Sequence, residues 1–446
     1  MNVKVRIAPS PTGNLHIGTV RTALFNWLFA RKQGGTFILR VEDTDLERSD
    51  KKYEENIIEG LKWLGIDWAG EIYRQTERLS LYRENIERLL TEGKAFWCHH
   101  TLAELDIERK AQSAAKQPPR HECEHKHSEK GKQEGEVIRL TVGGAPRTLT
   151  FKDSIRGDIS WETSLLGDIS LAKDLNTPLY NLAVVVDDID LKISHVIRGE
   201  EHISNTPKQL LIYEALGEKP PEFAHLPLIL NPDKTKLSKR AGATSVDDYK
   251  RDYLPDALVN FIGFLGYTYS KEIVTKEEMA KEFELEKVHK SGAIFDIKKL
   301  NWINSQYVKK LSSSELNGVL GVQLPESARA MVTERLEKLS DVEAFSFFWK
   351  SPEYDSELLP WKNVSVEATM QALHRAKEIF ETSDMHEDII RKELDAVSVG
   401  NRGQVYWPLR VALSGQKASP DPVDIALVIG KQETLKRIDT ALAKLS

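Results

Sequence analysis

Two cysteines in 446 residues cannot build a disulfide framework, so core packing must hold the chain together and a reducing, cytoplasmic setting is expected. No apolar run approaches the roughly twenty residues that span a bilayer, and the N-terminus reads as a strand rather than a secretory segment; no membrane partner is expected. An excess of positive charge is missing too: 62 Lys and Arg face 68 Asp and Glu, a net charge of −6. That excludes a uniformly basic coat for nucleic acid but leaves local patches open. Internal repeats and low-complexity tracts are absent. The remainder is ordinary for a globular protein, with 40% hydrophobic and 29% charged residues. A chain of this length suits about two to four domains.

The most informative text lies at the N-terminus. Val3, Val5 and Ile7 alternate as a short strand. Pro9, Pro11 and Gly13 then punctuate a loop. Beyond Gly18, residues Val20, Leu24, Trp27, Leu28 and Arg31 fall at helical spacing until Gly34-Gly35, and Thr36 to Val41 reads as a second strand. Such a βαβ unit holds ligands at strand ends and anions at the helix N-terminus. Glu42, Asp43 and Asp45 close the second strand with carboxylates placed for a polar ligand. A solvated turn capping a helix from Tyr53 to Gly65 would explain them more plainly.

From Lys94 to Asn176 the character changes. Both cysteines lie here, each two residues before a histidine, as Cys98-x-His100 and Cys123-x-His125. Two thiolates and two imidazoles suit tetrahedral zinc, which would tie down a loop too polar to pack. His99, His121 and His127 are near enough to substitute, and buried cysteines among loop histidines are the plain alternative. Strand-like segments follow at 136–141 and 148–151, with a turn at 153–157, so the insert reads as α+β. The apolar run from Thr177 to Val186, closed by Asp187 and Asp188, suits a strand or helix buried on both faces. Another strand, Ile193 to Ile197, leads to Arg198-Gly199-Glu200-Glu201-His202, and a helix follows from Thr206 to Leu216. Lys234, Lys236, Lys239 and Arg240 crowd one loop, either a solvated basic turn or a clamp for triphosphate oxygens. Beyond Gly242 the spacing is helical almost throughout, with Trp302 and Trp349 as expected core anchors. Residues 400–410 read as a loop presenting Tyr406 and Trp407, suited to stacking on unpaired nucleotides or to a plain interhelical turn.

Pro9-Ser10-Pro11-Thr12-Gly13 with His16-Ile17-Gly18-Thr19, and the later Lys236-Leu237-Ser238-Lys239-Arg240, resemble the two ATP-binding motifs of class I aminoacyl-tRNA synthetases. The text between is similar to bacterial glutamyl-tRNA synthetases at Arg40 to Asp45, Tyr180-Asn181, Asp187-Asp188, Val196 to His202 and Asn231 to Lys236. The likeness is dense over residues 1–310 and thin beyond. It implies an α/β protein: a Rossmann-like doubly wound catalytic domain with an α+β insertion, followed by an all-α C-terminal anticodon-binding region. The corresponding boundaries are 1–95 and 177–242 for the two catalytic halves, 96–176 for an acceptor-stem-binding insert with the zinc site, 243–305 for a stem-contact helical domain, and 306–446 for the anticodon-binding helices.

The resemblance also implies the chemistry: glutamate is activated by ATP to an adenylate, with Mg²⁺ assisting, and the glutamyl group then passes to tRNA(Glu), with tRNA(Gln) a further candidate. His16 and Gly18 would hold ATP, His16 donating to phosphate and Gly18 admitting the adenine. Lys236 and Lys239 would stabilise the leaving pyrophosphate. Pro9, Ser10, Glu201, Leu228, Ile229 and Ser238 complete the expected ATP site. For glutamate, Arg6 would grip the side-chain carboxylate, Glu42 the ammonium and Arg198 a carboxylate, with Ala8, Ser10 and Tyr180 completing the pocket. A guanidinium fork prefers Glu over Gln because an amide cannot accept from both prongs, so no editing site is needed. Some relatives hold structural zinc through C-x-C…C-x-H, matched at Cys98, Cys123 and His125 with His100 in place of a cysteine. A monomer is usual for the family. Two alternative readings make different demands. A glutamyl-queuosine tRNA(Asp) synthetase lacks an anticodon-binding domain, and a non-catalytic synthetase-like RNA-binding protein would have lost His16, Gly18, Lys236 or Lys239.

Overall fold

The computed structural model describes residues 2–142, 146–237, 245–398 and 400–446. The chain divides into two compact units, residues 1–250 with 255–300, and residues 251–254 with 301–446.

The first unit opens with β1 (Lys4–Ile7), α1 (Ile17–Lys32) and β2 (Thr36–Val41), followed by α2 (Lys51–Trp63) and the short β3 (Tyr73–Arg74). The three strands run parallel in the order β1-β2-β3. Because helices cover both faces of such a sheet, β2 is buried from Phe37 to Val41 with no polar alternation. Next come α3 (Leu79–Thr91), β4 (Ala95–Cys98), α4 (Leu102–Ala114), β5 (Val137–Leu140), β6 (Thr148–Asp153), β7 (Gly157–Glu162), β8 (Ile169–Asp174) and β9 (Thr177–Pro178). Strands β4-β5-β8-β9 form one antiparallel sheet.

The apolar run before Asp187 is a helix, α5 (Tyr180–Asp190). Eleven residues with near-complete burial from Leu182 to Asp188 fit a helix wedged between layers better than an edge of sheet. After it come β10 (His195–Gly199), α6 (Thr206–Leu216) and β11 (Glu222–Leu226), and a four-stranded sheet of order β10-β11-β6-β7 results. The Ser194 amide donates to the Lys4 carbonyl at 2.9 Å, and the Lys4 amide donates to the Ser194 hydroxyl at 2.8 Å. These bonds bring the start of β10 beside β1. The unit ends with β12 (Ile229–Leu230), α7 (Asp247–Lys250), α8 (Pro255–Gly263), α9 (Lys276–Glu282) and β13 (Ala293–Ile294).

The remaining helices are α10 (Ile297–Val308), α11 (Ser313–Leu320), α12 (Glu326–Thr333), α13 (Val366–Thr382), α14 (Glu387–Val397), α15 (Gly403–Ser414), α16 (Pro422–Ile429) and α17 (Lys431–Leu445). Helix α13 shows why they form: Ser365 caps its N-terminus, and Thr369, Ala372, Leu373, Ala376, Ile379 and Phe380 bury one stripe. Two expectations fail here. Residues 403–414 are a helix rather than a loop with exposed rings; Tyr406 is 7% exposed, and the Trp407 indole donates to the Leu358 carbonyl at 2.9 Å. Pro408 suggests a break, but Val405, Leu409 and Ala412 are spaced to bury one helical face, and packing outweighs the lost amide donor. Trp302, expected in a core, is 40% exposed. Among the described residues no helix is long and apolar enough to cross a membrane.

Candidate active site

The loop between β1 and α1 is fixed from several sides. The Glu42 amide donates to the Pro9 carbonyl, the Asp50 amide to the Pro11 carbonyl, both at 3.0 Å, and the Leu15 amide to the Asn56 side chain at 2.8 Å. His16 caps α1, its Nδ1 accepting from the Gly18 amide at 2.9 Å. An accepting Nδ1 leaves the proton of the neutral ring on Nε2, where it can donate to an anion. The first turn of α1 carries no acidic residue, so its N-terminal field is available to a phosphate. A Cβ at Gly18 would lie 3.2 Å from His16 Nδ1 and press on that cap.

Arg6 is paired across to Ile38 in the β1–β2 ladder, so Arg6 and Arg40 share one face. Helix α5 packs its two aspartates there. Arg6 donates to both oxygens of Asp188 at 3.1 and 3.2 Å, and Arg40 to Asp188 at 2.6 Å and to Glu42 at 3.1 Å. Asp187 accepts from Arg78, Tyr82 and Gln75 at 2.7, 2.9 and 2.8 Å. Arg40 is wholly buried, and burying a charge is tolerable only inside such a network. Burial pushes Asp188 up, but Arg6 and Arg40 outweigh it and hold the carboxyl below its usual range. For Glu42 burial wins over Arg40 and Arg6, and its pKa is raised.

Arg6, Glu42 and Gln75 of this network line a cavity of about 950 Å³. Of the expected residues, Arg6, Ala8, Pro9, Ser10, Gly18, Glu42, Tyr180, Arg198 and Glu201 line it. Among the described residues, His16, Leu228, Ile229 and Lys236 are not part of that lining. The Leu228 amide donates to Glu200 at 2.9 Å, Ile229 pairs with Ala293, and exposed Lys236 bridges Leu230. Ser238 and Lys239 lie outside the described residues; beyond them Ser245 bridges His16, and the Val246 amide donates to the Leu15 carbonyl. The Tyr180 hydroxyl lies 3.2 Å from His202 Nδ1, and burial together with the Arg198 charge lowers His202 to about 4. Sequence reasoning missed Thr44, Arg48, Gln75, Lys173 and His202 as lining residues. Of these, Thr44 and His202 carried a signal, as parts of the Arg40 to Asp45 and Val196 to His202 motifs.

The family described as tRNA synthetases class I (E and Q), catalytic domain, matches residues 2–302, and an anticodon-binding domain family matches residues 268–442. The chain is similar to glutamate–tRNA ligases from Crocosphaera subtropica, at 44% identity covering 96% of both chains, and Desulforamulus reducens, at 41% covering 99% and 100%. The chain belongs to the class I glutamate–tRNA ligases. Among solved structures, a glutamate tRNA ligase from Elizabethkingia meningosepticum in complex with its amino acid is similar at 34% identity, full coverage of both chains and a TM-score of 0.87.

The stretch from β4 to the turn after α4 holds a second cluster in this ligase. The ligand atoms of Cys98, His100, His121 and Cys123 all lie within 4.8 Å of one another. Two sulfurs and two imidazole nitrogens so gathered fit tetrahedral zinc. The fourth member is His121, not the expected His125. His121 Nε2 is 3.6 Å from Cys98 Sγ, and its Nδ1 is held by Glu108 at 2.6 Å. A carboxylate on the far nitrogen is the usual way a zinc-bound imidazole is oriented. His125 Nδ1 approaches Cys123 Sγ at 3.4 Å but accepts from the His99 amide. Burial alone would raise Cys98, yet hydrogen bonds from His121 and His100 pull it down, while burial pushes Cys123 up.

Proposed function

We propose that the chain ligates L-glutamate to tRNA(Glu) through a glutamyl-adenylate. The observation that carries this is charge matching in the cavity. Glutamate brings two carboxylates and one ammonium; Arg6, Arg198 and Glu42 line one cavity as two cations and one anion. Arg198 is buried and, among the described residues, forms no ion pair; its partners His225, Thr206 and the His202 carbonyl are neutral. A buried guanidinium without a counter-charge is a ready receptor for a carboxylate.

In this reading Arg6 grips the side-chain carboxylate, Glu42 the ammonium and Arg198 the α-carboxylate, with Ala8, Ser10 and Tyr180 closing the pocket. ATP enters as its Mg²⁺ complex against Pro9, Ser10, His16, Gly18, Glu201, Leu228, Ile229, Lys236, Ser238 and Lys239. An α-carboxylate oxygen attacks the α-phosphorus and the bond to the bridging oxygen breaks, releasing pyrophosphate. His16 Nε2–H and the two lysines neutralise the charge that develops on the phosphates. A terminal ribose hydroxyl of the tRNA then attacks the acyl carbon, and AMP leaves. Residues 96–176 serve the acceptor stem, 243–305 the adjoining stem and 306–446 the anticodon. Cys98, His100, His121 and Cys123 would hold a structural zinc, which would tie down the polar loop of the insert. The ligase acts as a monomer in the cytoplasm.

The test is aminoacylation of purified tRNA(Glu), tRNA(Gln) and tRNA(Asp) with labelled glutamate. Charging of tRNA(Glu) is expected, with tRNA(Gln) reporting the breadth of anticodon recognition. Charging of tRNA(Asp) alone would overturn the reading.

A further inference from the structure

Three adjacent strands, β6, β11 and β10, carry a buried chain of side chains behind the cavity. Arg198 and His225 are register partners in the parallel β10–β11 pair, so both project from the same face. Asp153 ends β6 next to β11, paired with Phe223. Asp153 Oδ2 lies 2.6 Å from His225 Nδ1, and Arg198 Nε donates to His225 Nε2 at 3.2 Å. Both Asp153 and His225 are essentially inaccessible to solvent.

The tautomer follows from the partners. Asp153 Oδ1 already accepts from the Ile155, Arg156 and His225 amides at 3.0, 2.8 and 3.3 Å, so the group is an anionic acceptor. His225 Nδ1 must then carry a proton, which leaves Nε2 as a lone-pair acceptor. That lone pair faces the Arg198 guanidinium, and the Thr206 hydroxyl, 3.2 Å from the same nitrogen, accepts from Arg198 Nη2 at 2.9 Å. Phe223 lies parallel to the imidazole, ring centroids 6.2 Å apart and the planes 9° from each other, and its ring also lies 5.7 Å from the Arg198 guanidinium carbon.

We propose that His225, its tautomer fixed by Asp153, is a positioning residue that aims Arg198 at the α-carboxylate of glutamate. The design lies in the neutrality of the acceptor. A carboxylate at position 225 would hold Arg198 equally well but cancel the charge that the substrate needs. A neutral imidazole fixes Nε and leaves the guanidinium's positive charge uncompensated at the cavity wall. This rests on the reading of Arg198 as a glutamate contact.

The experiment measures KM for glutamate, KM for ATP and kcat of the full chain for His225→Asn, His225→Gln and Arg198→Ala. Asn keeps a donor toward Asp153 but offers Arg198 nothing, whereas Gln places an oxygen where Nε2 was. Misaiming a clamp by about 1 Å costs up to about 100-fold. His225→Asn is therefore expected to raise KM for glutamate at least about tenfold with KM for ATP within about twofold, and His225→Gln to recover most of the loss. An unchanged KM for glutamate in His225→Asn, or a Gln variant as poor as Asn, overturns the proposal. If His225→Asn fails to fold, His225→Gln alone decides, a tenfold higher KM for glutamate counting against it. Arg198→Ala separates the two levels. If it leaves KM for glutamate unchanged, the site reading falls and takes this proposal with it. If it raises KM while His225→Asn does not, only the role of His225 falls.

Discussion

Arg6 gives Asp188 one edge of its guanidinium, Nε to Oδ1 at 3.1 Å and Nη2 to Oδ2 at 3.2 Å. A guanidinium carries five N–H donors, so the Nη1–Nη2 edge remains for a second carboxylate. Asp188 thus aims the fork and the substrate fills it. Exchanging Arg6 for Gln removes both prongs and leaves Asp188 with Arg40 alone. KM for glutamate should rise about 100-fold, on the order of 3 kcal/mol, and preference for glutamate over glutamine should shrink. Pyrophosphate exchange with each amino acid measures both. An Arg6→Gln enzyme that still rejects glutamine as strongly as the parent would rule Arg6 out as the discriminating group.

Removing the aspartate tests the same pair from the other side. Asp188→Asn keeps the shape but takes the paired charge from buried Arg6 and leaves buried Arg40 with Glu42 and Asp187. Breaking a buried ion pair in this way costs about 3–5 kcal/mol. Urea unfolding of the full chain, followed by far-UV dichroism, should show the first transition displaced accordingly. A loss under about 1 kcal/mol would mean that the arginines find other partners and the network is dispensable.

The two carboxylates of the network give stability opposite dependences on pH. Asp188 is lower in the fold than its ordinary 3.8, because Arg6 and Arg40 outweigh burial. Its contribution is present above 3.8 and lost as pH falls through the lowered value. Glu42 is higher than its ordinary 4.5, because burial outweighs Arg40 and Arg6. Protonation is easier in the fold than in the unfolded chain, so its contribution is present below 4.5 and lost as pH rises through the raised value. Thermal midpoints between pH 3 and 7 should therefore show a Glu42→Gln variant gaining on the parent as pH rises past 4.5. Parallel profiles across that range would contradict the assignment.

Most of the architecture could be read before any coordinates, because parallel strands and amphipathic helices write their periods directly into the text. Val5 and Ile7 revealed β1, and Pro9, Gly13 and Gly18 marked the loop and the helix start. What stayed hidden was whatever depends on contacts between distant positions. Arg40 looks like the end of an apolar strand, yet its burial only makes sense once Asp187 and Asp188 arrive on α5. His225 sits in a short apolar strand and shows nothing until Asp153, far away in the chain, comes alongside. Tyr406 and Trp407 misled for a different reason: Pro408 imitates a breaker, while the helix is held by what it packs against.

The cluster of the insert permits the sharpest choice between two residues. Histidines 121 and 125 both approach the cysteines, but the carboxylate behind the other nitrogen is within hydrogen-bond distance for His121, Glu108 at 2.6 Å, and farther for His125, Glu124 at 3.8 Å. Chain purified without chelator should contain about one zinc by elemental analysis, and Cys123→Ser should lower that content, since structural zinc wants four protein ligands. His121→Ala is expected to reduce zinc as severely as Cys123→Ser, whereas His125→Ala should retain it. Glu108→Gln should weaken zinc affinity by about 10- to 100-fold in competition with a chromogenic chelator, because the imidazole loses its anchor. Chelation should also lower the melting temperature of the insert, as metal binding contributes directly to its folding. Full zinc in His121→Ala with none in His125→Ala would return the fourth position to His125. Metal-free parent protein would remove the site altogether.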